Sequence, residues 1–277
     1  MAQLVDFSQI VIGSYMMASK FSSADMNTVR PAVLNTLRLY RTKFINEFGE
    51  LILCCDDRKS WRKELFPNYK ASRKKTRSAA PIDWDNLYEC LNQLKEELSE
   101  WFPYKVLQVE KAEADDIIAI LVGLANERTL ILSSDKDFIQ LHHFNVRQYS
   151  PIQKKFVEGD AKWSLHEKLI KGDVGDGVPN IMSDDNVFID EGRRQKPITK
   201  KKVDAWYELD QDMYCDAEML RNYNRNKQLV DLGEVPASIR INIRTQFETT
   251  AVGDRKRLLT YFINHRLKNL TESLSEF

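Results

Sequence analysis

Aspartates and glutamates recur through this chain in five clusters: Asp6; Asp56 with Asp57; Glu113, Asp115 and Asp116; Asp135 with Asp137; and Asp173 with Asp176. Nearly all follow a short apolar run. An acid at the end of a strand lies on the rim of an α/β sheet, where ligands bind, rather than on a solvated face. Several carboxylates converging there repel one another unless cations hold them. The chemistry that needs such an arrangement is metal-assisted phosphodiester hydrolysis. Mg²⁺ and Mn²⁺ take oxygen ligands, and two such ions about 4 Å apart can activate water and stabilise the leaving oxygen of an in-line displacement. Carboxylates alone suffice for this. The four histidines, His142, His143, His166 and His265, have no zinc-ligand spacing and read as surface or packing residues. No P-loop, nucleophile-elbow or dinucleotide-binding signature accompanies the acids.

The elements that must position these acids are legible from their periods. Short apolar runs mark strands at Gln3 to Phe7, Glu50 to Cys55, Lys105 to Val109 and Thr129 to Ser133, with a fifth near Val146 to Tyr149. Between the first four lie helical patterns, roughly Thr28 to Glu47, Trp84 to Trp101 and Ala114 to Asn126. Such alternation predicts an α/β fold with a mostly parallel central sheet flanked by helices. From Trp163 onward helical patterns dominate, interrupted by a polar, charged stretch from Met182 to Lys196 that reads as a mobile loop.

On that scaffold Asp6, Asp56 and the pair Asp135 and Asp137 fall at strand ends along one edge of the sheet. Glu113 and Asp116 share a face of the next helix, and Asp115 is offset from them. Each cluster also has a plain alternative. Acids in a first helical turn offset the helix dipole by roughly 0.3 to 1 kcal/mol. Asp135 and Asp137 read as a turn or N-cap. Gly172-Asp173-Val174-Gly175-Asp176-Gly177 reads as a turn. The joint occurrence of all five favours a metal site.

A second feature points to the substrate. Between Arg58 and Arg77 nine basic residues (Arg58, Lys59, Arg62, Lys63, Lys70, Arg73, Lys74, Lys75 and Arg77) stand against one acid, Glu64, with Trp61, Phe66 and Tyr69 interleaved. Basic residues among aromatics suit a phosphate backbone with unstacked bases, as along a single-strand path. A solvated helix face is the alternative, but the one-sided sign directly after Asp56 favours function.

Composition sets wider bounds. The 277 residues are 43% hydrophobic, enough for one large domain or a domain with an appendage, and Lys plus Arg equal Asp plus Glu at 41 each. No net field announces a partner, so the segregation of charge carries the information. Cys54, Cys55, Cys90 and Cys215 form no metal-ligand pattern and fit a reducing cytosol. The apolar stretch from Ile10 to Ala18 follows Asp6 and no basic residue, so it reads as neither signal peptide nor anchor, and no run approaches the ~20 residues of a membrane span.

Phe66-Pro67-Asn68-Tyr69-Lys70-Ala71-Ser72-Arg73 resembles the arch motif of 5′ nucleases. Glu113-Ala114-Asp115-Asp116, Ser134-Asp135-Lys136-Asp137 and Gly172-Asp173-Val174-Gly175-Asp176 match their later acidic motifs in order and spacing. Over almost its full length, to the ending Leu270-Thr271-Glu272-Ser273-Leu274-Ser275-Glu276-Phe277, the chain is similar to bacteriophage ribonucleases H of the flap endonuclease family. The resemblance implies a PIN-like core at 1–177 with a basic arch at 58–80, and a mostly helical DNA-binding region at 178–277. It implies a structure-specific 5′ to 3′ exonuclease and flap endonuclease that removes RNA primers and adjacent DNA during lagging-strand replication.

By motif, Asp6, Asp56, Glu113, Asp115, Asp116, Asp135, Asp137, Asp173 and Asp176 would hold two Mg²⁺ ions, replaceable by Mn²⁺, some of them through water. Asp57 lacks a counterpart. Lys70 and Arg73 would reach the scissile phosphate, and Arg62, Lys63, Lys74, Lys75 and Arg77 would hold the 5′ single strand. Tyr69 stands with them, more as packing for the arch than as a contact. The implied partners are DNA and RNA–DNA duplexes with a 5′ end or flap, and a replication protein such as a single-stranded-DNA-binding protein or sliding clamp. The enzyme would be a monomer without membrane association, in the cytoplasm of a phage-infected bacterium.

One departure stands out. After Val178 the family's glycine-rich hairpin, which holds a monovalent ion, gives way here to Ser183-Asp184-Asp185-Asn186 and the basic Arg193-Arg194-Gln195-Lys196. Duplex contact is expected there and through Lys200, Lys201 and Lys202. The rival readings are a toxin-type ribonuclease or metal-dependent phosphatase, which the long basic arch and the second set of acids disfavour, and a non-catalytic nucleic-acid-binding scaffold with the same fold.

Overall fold

A computed structural model describes residues 2–20, 24–73, 77 and 82–277 of the chain. By packing, the chain divides into two compact units, one made of 1–58, 83–158 and 237–277 and the other of 59–82 and 159–236. This division by contacts runs along different lines from a cut at residue 177, because the arch residues pack with 159–236 and the last segment packs with the first.

The first unit is built on a six-stranded sheet of order β3-β2-β1-β4-β5-β6. Its strands are β1 (Ala2–Asp6), β2 (Leu51–Cys55), β3 (Lys105–Gln108), β4 (Thr129–Leu132), β5 (Val146–Ser150) and β6 (Lys155–Val157). All neighbours are parallel except β5 and β6. Every residue of β2 and β4 is buried, which explains why they read as unbroken apolar runs rather than as alternation. The helices of this unit are α1 (Phe7–Ala18), α2 (Met26–Phe48), α4 (Trp84–Trp101), α5 (Ala114–Leu124), α9 (Ala237–Thr249), α10 (Leu258–Asn264) and α11 (Lys268–Thr271), while α3 (Arg62–Leu65) belongs to the second unit. Asp25 caps α2 by accepting from Thr28 N at 2.9 Å, and Asp83 caps α4 by accepting from Asn86 N at 3.0 Å.

Two elements escaped the periodic reading. The stretch from Ile10 to Ala18 belongs to α1, which is apolar nearly all round and so presents no polar stripe to reveal its period. Strand β6 has three residues, none fully buried, on the sheet edge. No described helix is long and apolar enough to cross a membrane.

The second unit is helical: α3 (Arg62–Leu65), α6 (Ala161–Lys171), α7 (Lys200–Trp206) and α8 (Ala217–Val230). Phe66, Tyr69, Leu169, Val178, Leu229 and Val230 form one core cluster, so the arch sequence is anchored by its aromatics onto α6 and α8. The polar stretch from Met182 to Lys196 is a series of turns, pinned rather than loose. Lys196 N donates to Ser183 Oγ at 2.9 Å, Asn180 N to Gln195 Oε1 at 2.7 Å, and the buried Asn222 Nδ2 to Ile181 O at 2.9 Å.

Candidate metal centre and nucleic-acid interface

Strand order reverses between β1 and β4, because β1 pairs with β2 on one side and with β4 on the other, and such a switch point opens a crevice at the carboxyl ends of the strands. Asp6 ends β1 at that crevice and is buried, 8% exposed. It caps α1 by accepting from Gln9 N at 3.2 Å, and its other oxygen accepts from Ser133 Oγ at 3.0 Å, just past β4. Burial pushes the Asp6 carboxyl up, and the nearby Asp56 and Asp135 push it further, to about 7, against the opposing pull of those two hydrogen bonds.

Asp56, exposed just after β2, accepts from Ser8 Oγ at 2.5 Å and from Ala114 N, the first residue of α5, at 2.9 Å. That second bond places its carboxylate on a helix N-terminus. Asp57, the acid set aside, accepts from Lys111 N at 2.8 Å and so ties a turn. Glu113 and Asp116 are both buried, and Asp116 accepts from Glu113 N at 2.9 Å in a capping box. Capping is therefore realised in this cluster, and Asp115 beside it stays half-buried. Asp135 is exposed and accepts from Asp137 N at 2.9 Å, opening a short 3-10 helix over Lys136–Leu141.

The donor chemistry of this rim fits a hard divalent cation. Its side chains offer carboxylate oxygens, and burial pushes the neighbouring Cys54 and Cys55 thiols well up, which keeps them protonated and out of a ligand set. Among the described residues no three His, Cys, Asp or Glu side chains stand as a ready-made cation cage; Asp6 and Asp56 accept from protein donors instead.

In the second unit Asp173 and Asp176 lie on a tight turn between α6 and the bridge of Asp173 with Val178. Gly172 has φ +66, and a Cβ there would come within 2.3 Å of Val178 O, so only glycine closes this turn. Asp173 pairs with Lys168 and accepts from Asp176 N at 3.0 Å. Asp176 pairs with Arg73, accepts from Tyr69 Oη at 2.8 Å and lies 3.6 Å from Lys70 Nζ. Burial pushes its carboxyl up, but Lys70, Arg73 and the Tyr69 hydroxyl outweigh it and hold Asp176 below the usual carboxylate range. Lys70 N also donates to Asp176 O at 2.7 Å from a left-handed backbone, φ 57.

Arg62 and Tyr69, named as candidate strand contacts, are buried at 2% and 3% exposure. The Arg62 guanidinium donates to Leu229 O at 2.8 Å and stacks on Trp61, so it packs the arch base instead of meeting a backbone phosphate. Tyr69 is spent on Asp176 and the core, which bears on its packing role. Lys63 is exposed and Arg77 half-buried, whereas Lys74 and Lys75 lie outside the described residues. Lys200, Lys201 and Lys202 are exposed in the first turn of α7, where cations oppose the helix dipole. Sequence reasoning missed Ser8, Gln9, Ser133 and Lys168, which hold the acids. Only the run Asp6-Phe7-Ser8-Gln9, an acid followed by a helix start, offered a signal for the first two.

The family model described as the 5′-3′ exonuclease N-terminal resolvase-like domain matches residues 1–169. The chain belongs to the 5′-3′ exonuclease family. A second model, described as the C-terminal part of T4 RNase H, matches residues 159–277. The chain is 32% identical to the ribonuclease H of Enterobacteria phage T4, over 99% of this chain and 95% of that protein. It is 30% identical to the flap endonuclease Xni of Shewanella baltica, over 55% of this chain and 58% of that protein. Its fold is similar to the flap endonuclease of bacteriophage T5 in complex with DNA and metal ions, with a TM-score of 0.65 at 19% identity, covering 89% of this chain and 98% of that one. The expected mostly parallel, PIN-like core is thus borne out, and the family makes the chain a nuclease.

Proposed function

We propose that the chain is a structure-specific 5′ to 3′ exonuclease and flap endonuclease that works with two Mg²⁺ ions, replaceable by Mn²⁺, and removes RNA primers and adjacent DNA from lagging-strand fragments. The observation that carries this reading is Asp6 at the switch point of a nuclease-family sheet, where burial first and the nearby Asp56 and Asp135 after it push its carboxyl up to about 7, a cost that a bound cation would relieve. Relatives named for ribonuclease H and flap endonuclease activity support the choice of substrate.

The proposed ligands are Asp6, Asp56, Glu113, Asp115, Asp116, Asp135, Asp137, Asp173 and Asp176. Bound divalent cations supply activation of water and stabilisation of the leaving oxygen. The chain's own cations do the rest. Lys70 and Arg73, now paired with Asp176, exchange that carboxylate for the scissile phosphate and offset its developing charge. Lys63 and Arg77, with Lys74 and Lys75, hold the 5′ single strand. Lys200, Lys201 and Lys202 keep their unfavourable place on the helix dipole because they meet duplex phosphates. Residues 1–177, including the arch at 58–80, act in catalysis, and 178–277 in duplex binding. The enzyme acts as a monomer in the cytoplasm of a phage-infected bacterium, beside a single-stranded-DNA-binding protein or sliding clamp.

The test is a 5′-labelled flap and an RNA-primed duplex, incubated with Mg²⁺ and then with chelator. Metal-dependent cleavage near the junction is expected from the native chain. Asp135→Asn should abolish it while leaving DNA binding intact. Binding without cleavage by the native chain would instead make it a scaffold.

A further inference from the structure

Gln148 lies on β5 and is 1% exposed, a buried polar side chain of the sheet. Burying an amide without partners is costly, so its hydrogen bonds identify what it is for. Its Nε2 donates to Ser133 O at 2.9 Å and to Asp135 O at 2.6 Å. Both amide hydrogens are thereby spent on the two carbonyls that bracket Ser134. The amide orientation follows, with Oε1 toward His142 Nε2 at 3.1 Å, and His142 must carry its proton on that nitrogen to donate.

The pairing of β4 with β5 ends at Leu132 and Tyr149. Past that point the chain from Ser133 to Asp135 has no strand partner on this side, and the Gln148 side chain takes over the role of the ladder. The other side of the segment is held as well. Ser133 Oγ donates to Asp6 Oδ2 at 3.0 Å and accepts from Asp135 N at 3.1 Å, while Gln9 Oε1 accepts from Ser134 N at 2.6 Å. One short segment therefore fixes two acids contributed by different strands.

We propose that Gln148 and Ser133 are positioning residues that set Asp6 and Asp135 for divalent-cation binding. The proposal rests on the metal-centre reading above. Neither residue is a ligand. Gln148 fixes the backbone on both sides of Ser134, and Ser133 fixes the orientation of the Asp6 carboxylate by holding Oδ2 while Gln9 N holds Oδ1. Outer groups of this kind typically change metal affinity by about 10- to 100-fold.

The experiment measures Mn²⁺ binding to the full-length, DNA-free protein by electron paramagnetic resonance. It compares the native chain with Asp135→Asn, Gln148→Met and Ser133→Ala, and circular dichroism melts establish that each is folded at the assay temperature. Gln148→Met, similar in shape but unable to donate, is expected to weaken Mn²⁺ binding about tenfold or more. Cleavage by this variant should return to the native plateau at high Mn²⁺, with only the half-saturating concentration displaced. If Gln148→Met does not fold, Ser133→Ala, which deletes a single oxygen, carries the same expectation. Native Mn²⁺ affinity in the folded positioning variants, alongside weakened binding in Asp135→Asn, would overturn this inference and leave the metal centre standing. Native affinity in Asp135→Asn would overturn the metal centre and this inference with it.

Discussion

Replacing Asp6 by asparagine tests the electrostatics of the rim most directly. In the metal-free protein the Asp6 carboxyl titrates near 7 when folded and near its ordinary value of 3.8 when unfolded. Between those values the folded state holds a proton that the unfolded state has lost, so stability falls as pH rises through this window and levels off above it. A rise of about three units at about 1.4 kcal/mol each amounts to roughly 4 kcal/mol. Asparagine removes this dependence and keeps the helix cap, because its oxygen still accepts from Gln9 N. Urea unfolding in chelator should find Asp6→Asn more stable than the native chain by about 2–4 kcal/mol near pH 8, with the difference vanishing near pH 4. Added Mg²⁺ should stabilise the native chain and not the variant. Equal stability at pH 8, or a native curve flat between pH 4 and pH 8, would refute the argument that burial and neighbouring acids raise the Asp6 carboxyl.

Other residues give sharper contrasts. Lys70→Ala should lower the single-turnover cleavage rate about tenfold or more, with duplex affinity changed far less; an effect confined to affinity would make Lys70 a backbone contact. Gly172→Ala should cost about 2 kcal/mol or more, read from the melting curve, because its Cβ would meet Val178 O and Pro179 O, which are backbone atoms that cannot step aside. Arg62→Met should destabilise by about 2–4 kcal/mol and leave the salt dependence of DNA binding unchanged, whereas Lys63→Ala should leave the melting curve alone and reduce the salt slope by about one.

The strands and their terminal acids were legible because burial on both faces demands unbroken apolar runs, and Leu51–Cys55 and Thr129–Leu132 supply them. Trp84–Trp101 was legible to the residue because its apolar stripe is sharp and Asp83 caps it. Helix α1 hid behind its uniform apolarity. The roles of Arg62 and Tyr69 were hidden by a different limit: a basic or aromatic residue in a charged run has the same letter whether it faces solvent or plugs a core, and only the packing against Leu229 and Val178 distinguishes them. Gln148 and Ser133 are 15 residues apart in sequence and meet only because β4 pairs with β5. No local pattern encodes that meeting.

The first unit is assembled from three stretches, the last of them residues 237–277, with most of the second unit inserted ahead of it. That last stretch is integral. Gln246 Nε2 donates to Gln108 O at 2.9 Å, Gly253 N to Phe102 O at 3.1 Å, and Arg257 caps Glu100 O at 3.1 Å. On the ribosome, where domains ordinarily fold as they emerge, the sheet with its acids must therefore wait uncapped while residues 159–236 are made. A chain whose translation stops before residue 237 leaves the edge around β3 without these bonds, and a bare sheet edge is a template for aggregation.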